Sequence, residues 1–169
     1  MLWYAHDPAV LLAALEDGTL LAYDSRMPDA PLWSFAAHGA AVTGVAASDG
    51  ARGLLATCSL DKTVRLWDVG AAGVRAGAPP TLLSSKAMAI GQVFTVGFYP
   101  SSRDGHLLAA GGSKGLLAVW DTAEDAGDVT AAVAAGGGDE AGALARHFAG
   151  RAATPRPAVR VRSDGQPLA

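Results

Sequence analysis

The sequence predicts an all-β chain of short antiparallel strands, and three observations predict it. Apolar and polar residues alternate at a period of two, as where Val64 and Leu66 sit among Thr63, Arg65 and Trp67. Pairs of such runs are joined by turn-forming residues, Asp17-Gly18, Leu60-Asp61-Lys62 and Lys114-Gly115. The pairs also recur. VLLAALEDGTLLAYD (10–24), LLATCSLDKTVRLWD (54–68) and LLAAGGSKGLLAVWD (107–121) lie over one another with Tyr23, Trp67 and Trp120 in register, 44 and then 53 residues apart.

Each hairpin is flanked by further apolar pieces. VTGVAAS (42–48) precedes the second, FTVGFYP (94–100) the third, and Met1–Tyr4 is the tail of the same element before the first. PLWSF (31–35), PTLLSS (80–85) and, after a delay, LARHF (144–148) follow them. The repeating unit is therefore four short strands. It is expected over residues 1–36 (incomplete at its start), 37–86 and 87–122, the last completed by 143–150. Residues 123–142, Ala/Gly-rich with five acidic residues and no basic ones, read as a disordered surface loop. The tail 151–169 carries four arginines broken by three prolines and reads as a disordered, solubilising terminus, with an electrostatic arm for RNA or acidic partners as the alternative.

Bulk properties narrow the function classes. A chain of 169 residues that is 50% hydrophobic and 17% charged can bury a core. A net charge of −3 argues against binding nucleic acid by bulk charge. Cys58 is the only cysteine, so no internal disulfide forms, and an intracellular setting fits. The start, MLWYAHDP, lacks the basic stretch of a signal peptide. No apolar run approaches the ~18 residues of a membrane helix.

The repeats resemble the WD40 family. The first spacing equals one blade of such a propeller, about 40–45 residues, and the second equals one blade with an insertion. Ala37-His38, a strand, then SLDKTVRLWD (59–68) is close to the family signature. The resemblance implies a β-propeller of four-stranded blades. It also implies a structural hydrogen-bond network of His38, a hydroxyl from Thr57 or Ser59, Asp61 and Trp67, with Tyr23, Trp67 and Trp120 as aromatic anchors. The third unit has no histidine between Thr81 and Gly105, and Lys114 where the aspartate would stand. It is expected to lack the network and to rely on apolar packing. Propellers need at least four blades to close, so three point to a partial chain, an open arc with two bare apolar faces.

A narrower resemblance rests on EDGTLLAYDSR (16–26), AHGAAV (37–42), GLLATCSLDKTVRLWDV (53–69), VFTVGFYPSS (93–102) and AAGGSKGLLAVWDT (109–122), in that order. It is to the C-terminal part of the periodic tryptophan proteins, nuclear and nucleolar WD-repeat proteins linked to ribosome biogenesis. The function this implies is a non-enzymatic scaffold for protein–protein interaction, acting in rRNA processing or rRNA transcription. Pre-ribosomal or chromatin proteins, histone H4 tails among them, are the implied partners, and RNA contact is indirect. A histone-binding or signalling WD40 adaptor outside that family is the alternative. In such propellers partners dock where the loops before the inner strands meet the hairpin turns, which here points to Asp17, Gly39, Lys62, Ser113 and Lys114.

No catalytic, metal or cofactor site is expected. His38, Ser59 and Asp61 have the side chains of a nucleophilic triad, but a G-x-S-x-G elbow is missing and the blade network already accounts for them. Glu16, Asp17, Asp61 and Asp68 belong to different hairpin ends and serve turns, and His6 is a loop residue. AAGGSKG (109–115) leads into a strand, unlike a phosphate-binding loop, which leads into a helix. Cys58 sits mid-strand and packs as a small apolar side chain.

Overall fold

The computed structural model describes residues 1–70, 73–100 and 106–122. The first sheet is formed by β1 (Leu2–Trp3), β2 (Val10–Ala14), β3 (Thr19–Asp24) and β4 (Trp33–Ala36), in that order. The second is formed by β5 (Val42–Ala47), β6 (Leu54–Ser59), β7 (Thr63–Asp68) and β8 (Thr81–Ala87). The third holds β9 (Val93–Phe98), β10 (Leu107–Gly112) and β11 (Leu117–Asp121). Every pairing is antiparallel, as short hairpin connections require. The third sheet thus has three strands among the described residues. The fourth, expected at 143–150, lies outside them, as do the 123–142 loop and the 151–169 tail.

The strand periodicity decides what each sheet buries. Leu54, Ala56 and Cys58 of β6, with Val64 and Leu66 of β7, pack on Val93, Leu108, Ala110 and Trp120 of the third sheet. The alternate positions Leu55 and Trp67 pack on Val10, Leu12, Leu20, Ala22 and Trp33 of the first. The second sheet is therefore covered on both faces, and all six residues of β6 are buried. Each large apolar side chain moved from water in this way stabilises the fold by about 1.5–3 kcal/mol.

The hairpin aromatics occupy equivalent places. Tyr23 pairs with Leu11, Trp67 with Leu55 and Trp120 with Leu108. Trp67 and Trp120 are 5% and 2% exposed, each turned toward the sheet before its own. Tyr23 is only half-buried, because no sheet precedes the first among the described residues. Its expected anchoring role thus lacks a surface to anchor on. A second buried indole does appear there, Trp33 at 4% exposed, whose Nε1 donates to Val74 O at 3.0 Å.

Candidate functional site

At one end of the second sheet a relay of hydrogen bonds runs inward from a turn. The turn is Leu60-Asp61-Lys62, between β6 and β7. Asp61 caps it, its Oδ1 accepting from Thr63 N at 2.9 Å and from Thr63 Oγ1 at 2.6 Å. Its Oδ2 lies 2.9 Å from His38 Nδ1. His38 Nε2 lies 2.7 Å from Thr57 Oγ1, and Thr57 Oγ1 accepts from Trp67 Nε1 at 2.8 Å. One assignment of protons satisfies every group: indole N–H to Thr57, Thr57 O–H to a neutral His38 Nε2, and Nδ1–H to the Asp61 carboxylate.

The electrostatics agree with a neutral imidazole. Burial, its main cause, pushes the pKa of His38 below its ordinary 6.5, against the opposing pull of Asp61. Burial also works against the charge of Asp61, but hydrogen bonds from Thr63 and His38 outweigh it and hold that carboxyl below the usual carboxylate range. Of the two hydroxyls the sequence left open, Thr57 is the one in the relay. Ser59 Oγ instead donates to Ala40 O at 3.1 Å and accepts from Asp61 N at 3.1 Å, which ties the turn to the loop carrying His38. Asp61, His38 and Thr57 do form a carboxylate–imidazole–hydroxyl series. Thr57 is wholly buried and its oxygen is taken up by the indole, so no substrate atom has room to reach it.

Asp17, Gly39, Lys62, Ser113 and Lys114 all lie exposed at this same end. Backbone hydrogen bonds link each hairpin turn to a neighbouring connection. Ala37 N and His38 N both donate to Gly18 O, and Val42 N donates to Leu15 O. Met88 N donates to Lys62 O, Ser113 N to Gln92 O and Lys114 N to Ile90 O. Gly18 has φ +92°, and a Cβ there would stand 2.3 Å from His38 O. Only glycine lets the turn approach the histidine loop so closely.

The opposite end holds a cluster that the sequence reading missed. The connection between β7 and β8 includes a single 3₁₀ turn, Val74–Ala76. It folds back on the first sheet, burying Val74 beside Trp33. Arg75 then ion-pairs with both Asp7 and Asp24, and Arg26 closes on Asp24 with contacts of 3.0 and 2.8 Å. Hydrogen bonds from Arg26 and then Arg75 hold the Asp24 carboxyl far below the usual range. The neighbouring His6 Nε2 donates to Ser48 O at 2.8 Å, joining the first sheet to the loop after β5.

Where the second sheet's hairpin turn carries Asp61, the third sheet carries Lys114. Its turn is held by Ser113, whose Oγ accepts from Gln92 N at 3.0 Å. Lys86 Nζ sits 5.0 Å from the centroid of the Trp120 ring. Cys58 is fully buried with its thiol 3.3 Å from Thr43 Oγ1, and burial pushes its pKa up. Thr43 Oγ1 also donates to Val93 O at 2.6 Å, which stitches the second sheet to the third. Among the described residues no three His, Cys, Asp or Glu side chains are grouped to hold a metal ion.

Similarity to known proteins fits this layout. An uncharacterized WD repeat-containing protein of Schizosaccharomyces pombe is 28% identical over 125 residues, covering 74% of this chain and 23% of its own length. Periodic tryptophan protein 1 of Saccharomyces cerevisiae is 24% identical over 115 residues, covering 66% of this chain and 20% of its own length. The chain thus spans about a fifth to a quarter of the length of these relatives. Residues 29–68, which run from β4 through β7 and include the whole relay, match the WD40 family, described as WD domain, G-beta repeat. With that matched repeat at its centre and antiparallel sheets packed on either side of it, the chain has an all-β architecture consistent with a partial WD40 propeller.

Proposed function

We propose that the chain belongs to a non-enzymatic WD-repeat scaffold that docks other proteins at the end bearing Asp17, Gly39, Lys62, Ser113 and Lys114. Its place, by resemblance to Periodic tryptophan protein 1, is the nucleus and nucleolus, in ribosome biogenesis through rRNA processing or rRNA transcription. The proposed partners are pre-ribosomal or chromatin proteins, with RNA contact indirect. One observation carries the non-enzymatic part. The carboxylate–imidazole–hydroxyl series of Asp61, His38 and Thr57 is spent inside the sheet, its hydroxyl wholly buried. What the same end offers to solvent is turn residues and lysines. Tagging the protein at its own locus tests the reading. The expected result is nucleolar signal and co-purification of pre-ribosomal proteins. Confinement to cytosolic signalling complexes would overturn the nucleolar assignment in favour of an adaptor role.

A further inference from the structure

We infer that the face between the second and third sheets docks an acidic peptide segment of a partner protein, with Lys62 and Lys114 as its cationic contacts. The inference rests on the scaffold reading and names the chemistry of the partner. Its basis is where the lysines fall. The chain has three, Lys62, Lys86 and Lys114, and all three border one short connection. Lys86 lies in β8, and Met88, two residues on, donates its N–H to Lys62 O. Ile90 O accepts from Lys114 N, and Lys114 Nζ stands 3.5 Å from Ala89 O. A turn from the second sheet and a turn from the third therefore bring two exposed lysines to either side of residues 88–90.

Among the described residues neither Lys62 nor Lys114 has an acidic partner at ion-pair distance. Asp61, next to Lys62, is already engaged by Thr63 and His38. The exposed acids of this end, Glu16 and Asp17, belong to the first sheet's turn. The end is thus polarised along the arc, acidic over the first sheet and basic over the second and third.

The backbone adds an independent sign. Lys62 has φ +72° and is the one non-glycine residue at positive φ among the described residues. The other two hairpins put Gly18 and Gly115 at left-handed positions in their turns, with φ +92° and +67°. A lysine that holds a glycine's conformation is strained, and such outliers concentrate at functional positions.

The partner class follows from what surrounds the charges. Lysine is a compact point charge that pairs with carboxylates one at a time and lacks the planar fork of arginine. The nearby indole, Trp120, is 2% exposed and offers no stacking platform for a base. A polyanionic nucleic acid crossing the end would also meet Glu16 and Asp17. A short acidic peptide lying over residues 86–91 runs between Lys62 and Lys114 and need not reach the first sheet's turn.

The test uses the full chain and a fluorescein-labelled peptide rich in Asp and Glu, followed by fluorescence anisotropy at low and high salt. Lys62→Gly with Lys114→Ala is the main variant, because glycine suits the backbone at 62 and the double variant keeps the fold. We expect saturable binding that weakens with salt, and a loss of about tenfold or more in the variant, the scale of two charge contacts. Deleting residues 123–142, which carry five acidic residues, should leave the affinity unchanged. Equal binding by the variant overturns the inference. So does tighter binding of a lysine-rich peptide or a single-stranded RNA, or a gain in affinity on the deletion, which would make the chain's own segment the occupant. Capture from nuclear extract separates the two levels. Partners retained by the double variant sink the acidic-peptide site and leave the scaffold standing; a parent chain that captures nothing sinks the scaffold.

Discussion

Thr57 is a small side chain with two obligations. It accepts from the Trp67 indole and donates to His38, all within a fully buried site. Thr57→Val keeps the shape and removes both, leaving two buried polar groups unpaired at about 1–3 kcal/mol each. Thermal unfolding should show a loss of about 2–6 kcal/mol, with no hydrolytic activity to lose. Ser59→Ala removes bonds nearer the surface and should cost about 1 kcal/mol. Lys62→Gly should instead stabilise, by about 0.5–1 kcal/mol in urea unfolding, since relief of the left-handed strain exceeds the entropy that glycine adds to the unfolded chain. His38 sets a pH dependence. Its pKa is lower folded than unfolded, so the unfolded chain takes the proton first as pH falls. Stability should be full above about pH 6.5 and decline below it, and the urea midpoint compared between pH 7.5 and 5.5 should show the decline shrinking in His38→Asn. In the sequence, the spacing of the signature is what pointed to His38, Asp61 and Trp67 as a group. The choice between Thr57 and Ser59 was not legible there, because both lie on one face of β6 and only depth and partners separate them.

Among the elements, the hairpins were the legible part. Alternation, turn residues and the aromatic-Asp ending recur within each stretch of the chain, so every strand from β1 to β11 falls on a run picked out by pattern. The connection between β7 and β8 was opaque for the opposite reason. Arg75 is 68 positions from Asp7 and 51 from Asp24, and nothing in the Gly-rich stretch around it announces partners so remote. Its function is to hold one sheet to another. Arg75→Ala should raise hydrogen exchange at the amides of residues 73–77 while the strands of the second sheet stay protected. Added salt should move the parent chain toward the variant, as expected for partly exposed ion pairs.

At the scale of the molecule the described sheets form a fan whose middle member is packed on both faces and whose outer members each have one apolar face with no other described sheet against it. Leu11, Leu21 and Tyr23 line the first of these faces. The second forms an apolar cleft of about 240 Å³ lined by Phe98, Tyr99, Leu107 and Val119 among others, with Leu117 exposed nearby. Such area drives association when nothing covers it. The 169-residue chain alone should self-associate as its concentration rises, and Leu21→Asp with Leu117→Asp should shift it toward monomer in light scattering without lowering its unfolding temperature. The fan was legible from the count of repeats. The unequal burial of Tyr23, Trp67 and Trp120 was not, because it depends on what stands in front of each sheet.

The matched repeat starts just before the outermost strand of one sheet and ends in the third strand of the next. Sequence unit and folded unit are therefore offset, like roof tiles that each cover the joint below. Excising residues 29–68 would strip β4 from the first sheet as well as removing most of the second. Tension applied through the chain ends meets the same overlap. β4 must peel from β3 before the load separates the first two tiles, so a pulling trace should show shared rather than independent ruptures.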